Sequence, residues 1–501
     1  MNGKKELPNI VFIVLDTVGA KRMSLYGFPR RTTPHLERIA EECTVYNRCF
    51  APACWTIPSH ASMFTGLYPS QHGTHEANLI LNDNYQHLAS VLKMAGYQNF
   101  GLISNGLVSP ESGLCRDFDF LKVFGVGGFA RFQAKFGRSQ QKEDRLIPKI
   151  VGKVTIKDKM LVVLKHFLQT SNYRQAFEDL KMVVNNKANR FFNPTPFQKS
   201  SKYTIAIVKM FEEMVKKHKI SHNGKPYFCF INFVEAHEMY RPPVKTRCFS
   251  RLYDKQYRRS NSLYKRPDEN VVKVLKDLHD DEIYFLDLMM SKFWDNLKKL
   301  PDFDNTVVII TSDHGEHLGE KGYYGHALSL YNDLIWVPLM VKFPEGLAQT
   351  GVSNRLTSLN DLYSTILDLT NSPLPGPGSS LSLLSASERE MVLAQSVFPG
   401  LWRGGLNARR EKDPSFHPAA IAAITNKNNK IIESSNGKLE LYDLNEDTDE
   451  EHNLIETISS EAKQNLRNLV DFIKNDSGYN DAVSRIETQN LANHQSATMD
   501  F

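Results

Sequence analysis

The chain has 501 residues, 41% hydrophobic, 23% charged and 10% aromatic, a globular composition with ample material for a large core. Lys plus Arg outnumber Asp plus Glu by 61 to 56, and a net charge of +5 on this length gives no argument for nucleic acid while suiting an anionic substrate. Six cysteines without a CxxC pair fit buried free thiols better than a disulfide framework or a zinc–thiolate site. The sequence shows no apolar signal segment and no apolar run of membrane-spanning length, so a cytoplasmic protein without a membrane span is expected.

In chain order, Asn9 to Leu15 is a continuous apolar run ending at Asp16, the pattern of a strand buried on both faces of a parallel sheet. An acid at the carboxyl end of such a strand stands where open α/β sheets place ligands. Thr33-Pro34 opens a capped amphipathic helix. Ala51 to Gly66 then begins extended and turns helical over Ser59 to Phe64, which places Thr56 just ahead of a helix N-terminus. Taken alone, a Thr there is an ordinary cap as readily as a nucleophile. A helix from about Tyr85 to Gly96 and a strand at Phe100 to Ile103, ending at Ser104-Asn105, complete a βαβ rhythm.

That rhythm breaks over about 129–201, a basic segment read as a helical insertion, with Ile156, Met160, Val163, Leu164 and Phe167 at helical spacing. An amphipathic helix at Tyr203 to Met214 follows it, and further buried strands are expected at Tyr227 to Val234, Thr306 to Thr311 and Val337 to Lys342. A long helix is expected after Asp280-Asp281. Beyond the Pro/Gly/Ser-rich stretch at Ser372 to Ser380, three short strands joined by Asn/Gly turns read as an antiparallel meander, and Ala462 to Ile473 as a helix. The expected fold is therefore α/β: a large domain, 1–375, with a mostly parallel central sheet between helices, then a small α+β domain, 376–475, and a polar, frayed tail, 476–501.

Three strands thus deliver Asp16, Glu235 with His237, and Asp313 with His314 to one edge of one sheet. With the Thr56 oxygen, Asp16, Asp313 and His314 make an oxygen-rich, one-imidazole set suited to a divalent ion, Mg2+, Mn2+, Ca2+ or Zn2+. Contact with such an ion would make the Thr56 hydroxyl a usable nucleophile.

The stretches Asn-Ile-Val-Phe-Ile-Val-Leu-Asp at 9–16, Thr-Ile-Pro-Ser-His-Ala-Ser-Met-Phe-Thr-Gly at 56–66, Glu-Ala-His-Glu-Met-Tyr-Arg-Pro-Pro at 235–243, Ser-Asp-His-Gly-Glu at 312–316 and Glu-Leu-Tyr-Asp-Leu at 440–444 resemble, in order and over about nine tenths of the chain, the sulfatase branch of the alkaline phosphatase superfamily. The resemblance implies that Thr56 is the nucleophile and that Asp16, Asp313 and His314 hold the metal with it. It implies that His237 and His326 contact the substrate's anionic oxygens and leaving group, and that Asn105 and Asn78 line the pocket. His60 stands where the family has arginine; it is placed on the substrate side, with buttressing of the loop or capping of a carbonyl as alternatives.

Ordinary sulfatases carry Cys-x-Pro-x-Arg, whose cysteine becomes formylglycine, whereas this chain has Thr56-Ile57-Pro58-Ser59-His60, so that modification is not expected. The first strand ends in a single acid, Asp16, followed by Thr17 where many sulfatases pair two acids. The function expected is metal-dependent hydrolysis of a sulfate or phosphate ester through a covalent Thr56 intermediate, with phosphodiesters or phosphonates chemically favoured. A silent relative binding anionic glycans or lipids and a two-metal phosphatase using Glu235, His237 and His326 are the alternatives. The sequence fixes no oligomeric state.

Overall fold

A computed structural model of the protein describes residues 6–75, 78–124, 200–221, 225–238, 240–250, 269–327, 329–372, 376–397 and 419–483. Its central sheet is built from β1 (Asn9–Leu15), β2 (Thr44–Phe50), β3 (Gln98–Ile103), β4 (Phe120–Val123), β5 (Tyr227–Phe233) and β6 (Thr306–Thr311). A short hairpin of β7 (His317–Leu318) and β8 (Tyr324–Gly325) follows, and β9 (Leu339–Lys342) and β10 (Gly351–Ser358) return to the sheet. The order across its eight strands is β10-β2-β9-β6-β1-β5-β3-β4. All neighbours run parallel except β9, which is antiparallel to both β2 and β6.

The apolar runs explain the middle of this sheet. Along β1, Ile10, Phe12 and Val14 join the core on one face while Val11, Ile13 and Leu15 join the core on the other. A strand clothed in helices on both sides needs such a run, and β5 and β6 are likewise buried throughout. β2 and β10 carry no such run and were not expected, because they lie toward the sheet edge. β2 has Asn47 and Arg48 mid-strand, and β10 exposes its first half.

The second sheet is an antiparallel meander, β11 (Met391–Ser396), β12 (Ala420–Thr425), β13 (Asn429–Ser434) and β14 (Leu439–Asp443). The helix Ser460–Asp476 lays Val470 and Ile473 against it. The described residues on both sides of position 375 belong to one compact unit.

Two readings of the sequence change. The long helix runs Glu269–Leu297, so Asp280 and Asp281 lie inside it rather than before it. Both acids are buried yet satisfied: Asp280 pairs with Arg22 and Arg30 at 2.5 and 2.9 Å, and Asp281 accepts the backbone N–H groups of Cys248, Phe249 and Ser250. The tail is packed as far as 483, with Tyr479 4% exposed and its hydroxyl donating to Ser396 O at 3.1 Å. The basic insertion, apart from its last two residues, and residues 484–501 lie outside the described residues. Five of the six cysteines are buried and none forms a disulfide. No described helix is long and apolar enough to cross a membrane.

A buried ion pair fastens the second sheet to the first. Lys430 on β13 meets Glu450 at 2.6 Å with neither side chain exposed, and the pair also engages the turn Asn332–Ile335. Lys430 Nζ donates to Asn332 Oδ1 at 2.9 Å, and Asn332 N donates to Glu450 Oε2 at 2.6 Å. Replacing Glu450 with Ala strands a buried ammonium and is expected to lower unfolding free energy by about 3–5 kcal/mol in denaturant titrations. A loss below about 1 kcal/mol would show that the pair does not hold the sheets together.

Candidate active site

β1 and β6 are paired in parallel with Val14 opposite Thr311, so Asp16 and Asp313, each two residues further on, emerge side by side. β2 leads through Ala51–Trp55 into a helix, Thr56–Thr65, in which every residue is buried. Thr56 is the first residue of this helix rather than the one ahead of it. Pro58 permits that early start because the first turn needs no donor from it. The helix ends at Gly66 with φ 73°, a left-handed conformation suited to glycine. The Thr56 hydroxyl thus lies at the positive end of a ten-residue helix.

Around it the contacts are close. Thr56 Oγ1 lies 3.3 Å from His314 Nε2, and Asn105 Nδ2 lies 3.5 Å from Thr56 Oγ1 and donates to Asp16 Oδ2 at 2.7 Å. His314 Nδ1 sits 2.8 Å from Gly315 O, an arrangement that uses its proton there and leaves the Nε2 lone pair facing Thr56. One ligand atom from each of Asp16, Asp313 and His314 lies within 4.8 Å of the others, and this is the one such group among the described residues.

The electrostatics call for a cation at this spot. Asp16 and Asp313 have no exposed surface, and Asp16 Oδ1 and Asp313 Oδ2 accept no hydrogen bond. Burial first, then the neighbouring Asp16 charge, push the Asp313 carboxyl well above its usual range. Burial, followed by the neighbouring His326, holds His314 well below the ordinary imidazole value, so its lone pair is free to ligate. Two orphaned carboxylate oxygens, a neutral imidazole and a hydroxyl fit a divalent metal ion, and Asp16, Asp313, His314 and Thr56 are the residues that would hold it.

A layer of histidines lies over this set. The His326 ring lies 4.7 Å from that of His314, tilted, and 4.9 Å from that of His237, edge to face. Burial pulls the His326 imidazolium down, but Glu316, 2.8 Å from Nδ1, more than offsets this and raises its pKa to about 9. His326 is therefore a cation at neutral pH.

Three expectations are corrected. His60 does not line the pocket: it is wholly buried behind Thr56, Nδ1 is 2.9 Å from Thr56 O, and Phe64 and Phe230 pack on its ring. Burial lowers its pKa to about 4, so it is a neutral buttress where the family has arginine. Asn78 is exposed in a turn and donates to Gly73 O at 2.7 Å. Glu235 is buried and hydrogen-bonded by the Thr204 hydroxyl, and burial lifts its carboxyl to about 7, so it does not join a second metal cluster.

Several supports carried no sequence signal. Thr17, at φ 63°, turns its N–H onto Asp313 Oδ1 at 3.3 Å. Ser59 Oγ donates to Asp313 O at 2.7 Å, and Asn232 Oδ1 accepts Asn105 N at 3.0 Å. Gly315 N donates to Leu334 O at 2.7 Å, and a Cβ at Gly315 would come within 2.0 Å of Asp333 O, so only glycine lets the ligand loop settle on that turn. Ala327 N donates to Cys54 O at 3.0 Å, tying the His326 loop to the stretch that carries Thr56.

Known proteins share the sequence family and the fold. Residues 8–372 match the family model described as Sulfatase. An N-acetylglucosamine-6-O-sulfatase of Bacteroides thetaiotaomicron is 22% identical, covering 91% of this chain and 84% of its own length. Among solved structures, a phosphonate monoester hydrolase of Agrobacterium radiobacter superposes with a TM-score of 0.64 at 15% identity, over 94% of this chain and 96% of its own. Another, solved with its substrate D-glucosamine-2-N,6-O-disulfate, superposes with a TM-score of 0.63 at 17% identity, over 95% and 99%. With that match to well over half its length, the chain belongs to the sulfatase family.

Proposed function

We propose that the protein hydrolyses an anionic phosphate or phosphonate ester through covalent attack by Thr56, with one divalent metal ion at Asp16, Asp313, His314 and Thr56. The observation that carries this is the Thr56 hydroxyl at a helix N-terminus, against two buried, unsatisfied carboxylates and a neutral His314. A bound divalent ion would lower the hydroxyl pKa and offset charge on the ester.

The protein's own groups account for the rest of the chemistry. Thr56 Oγ1, its proton already lost to solvent, forms a bond to phosphorus as the bond to the leaving oxygen breaks, and His326 gives that oxygen its proton; the later release of Thr56 Oγ1 restores the same anion. In the second half, neutral His326 takes a proton from water as water attacks phosphorus and releases Thr56 Oγ1. His237 sets its ring edge to face against His326, and Asn105 keeps Asp16 oriented.

The nucleophile decides between phosphorus and sulfur. A formylglycine hydrate can expel sulfate by collapsing to its aldehyde, but a threonine ester has no such exit and must be attacked at the central atom, a step suited to phosphothreonine. A sulfate ester is the second reading, favoured by the family match and by sulfatase relatives such as the B. thetaiotaomicron enzyme. A two-metal reading has little support, because no second group of ligands appears among the described residues. Buried cysteines outside any disulfide support a reducing, cytoplasmic setting.

Thr56→Ala is expected to lower kcat/KM on the best of a panel of aryl phosphate, phosphodiester, phosphonate and sulfate esters by about a thousandfold or more. Full activity would remove Thr56 from the chemistry, and no turnover of any ester by the metal-loaded wild type would favour a binding protein. Chelation should abolish turnover and lower the melting temperature, both restored by one equivalent of metal per chain; a need for two would revive the two-metal reading. Because its pKa is raised to about 9, His326 should keep its proton through neutral pH and lose it as pH rises through that value. Turnover should fall there, and Glu316→Gln should move the alkaline limb to lower pH; an unmoved limb would take the acid role from His326.

A further inference from the structure

A cavity of about 750 Å³ lies between the edge of the main sheet and the β12–β13 turn. None of Asp16, Thr56, His237, Asp313, His314 or His326 lines it. In the strand order, β2 is three neighbours from β1, which puts the cavity's floor roughly 14 Å from the strand that ends at Asp16. Its volume falls within the range of small-ligand sites.

The lining has a distinctive chemistry. Tyr26 and Trp336 meet edge to face, 6.2 Å between centroids, as its aromatic part, with Val352, 67% exposed, at the rim. Their polar handles are already used on backbone: Trp336 Nε1 donates to Asn47 O at 2.9 Å and Tyr26 Oη to Leu339 O at 3.3 Å. Five asparagines supply the polar part, and the two charged lining residues are Arg48 and Lys427, with no acidic side chain among them.

The wall is preformed. Arg48 clamps the turn, donating to Asn428 Oδ1 at 3.1 Å, Asn426 O at 3.0 Å and Thr425 O at 2.8 Å, and Asn428 holds that turn at φ 67°. Asn47 Nδ2 donates to Asn354 Oδ1 at 3.3 Å, which leaves the Asn47 oxygen and the Asn354 amide nitrogen as an acceptor and a donor set side by side. Lys427, exposed on the turn, adds a positive charge.

Paired amide donors and acceptors match vicinal hydroxyls, an aromatic surface matches the C–H face of a pyranose, and cations without carboxylates match an acidic substituent. We infer that this cavity is a binding site for an acidic saccharide, one bearing sulfate, phosphate or carboxylate groups, separate from the ester-cleaving site. The inference does not depend on the chemistry at Thr56. Trp336 also links the cavity to the reaction centre, since its carbonyl accepts Ala20 N at 3.0 Å, four residues beyond Asp16.

The test is calorimetric titration of the full chain with a heparin-derived tetrasaccharide, with and without saturating vanadate to block the ester site, and with the unsulfated tetrasaccharide in parallel. The doubly substituted variant Lys427→Glu/Asn354→Asp, whose positions are exposed and outside the catalytic set, is titrated alongside. The expected result is binding that persists with vanadate, weakens by about tenfold or more in the variant, and weakens likewise on loss of the sulfates. An unchanged melting temperature and unchanged small-ester turnover in the variant would confirm that the loss is local. No binding to the wild type, competition by vanadate, or equal affinity in the variant would overturn the inference, and failure of any of these leaves the role of Thr56 untouched. Should the double variant unfold, Lys427→Ala alone is read by the same titration.

Discussion

Two carboxylates that reach no water and lack hydrogen bonds on one oxygen each cannot both remain charged in a protein interior without a cation between them. Asp16 and Asp313 are held in that state by neighbouring parallel strands in fixed register, and the rest of the site is arranged around the deficit. His314 offers a lone pair, Thr56 a hydroxyl, and the helix that begins at Thr56 adds its positive end. His326 contributes a further positive charge, maintained by Glu316. The same cationic field that satisfies the carboxylates is what an anionic ester needs.

Precision in that arrangement comes from groups that touch no substrate. Thr17, Ser59 and Asn232 fix the carboxylates and Asn105, while Gly315 seats the ligand loop on the turn at 332–335. That turn is in turn gripped by Lys430 and Glu450 from the second sheet, so the small antiparallel layer works as a brace for the loop that carries Asp313 and His314. His60, a neutral imidazole in a closed core, stands behind Thr56 where the family resemblance puts an arginine.

The legible part of the fold was the part with uniform burial. β1, β5 and β6 are two-sided and therefore read as unbroken apolar runs, and the residues just past the ends of β1 and β6, Asp16, Asp313 and His314, lie close together as those runs suggest. β2 and β10 were hidden because a strand near a sheet edge mixes Asn and Arg with apolar residues, and Asp280 and Asp281 looked like a helix start although Arg22, Arg30 and a backbone loop satisfy them within the helix. Asn78 and His60 were misplaced for a common reason. Family position assigns a residue to a pocket, but whether its side chain faces the pocket depends on turn geometry and core packing that motifs do not encode. The left-handed Thr17 likewise has no signature in residue type.

The central claim is that Thr56 carries the transferred group. Rapid acid quench of the metal-loaded protein during turnover, followed by mass spectrometry of the peptide containing Thr56, tests it most directly. A phosphoryl or sulfuryl adduct on Thr56, appearing and decaying with turnover and telling the two ester classes apart by exact mass, is the predicted result. Turnover with Thr56 unmodified at every time point, or an adduct on another side chain, would contradict it.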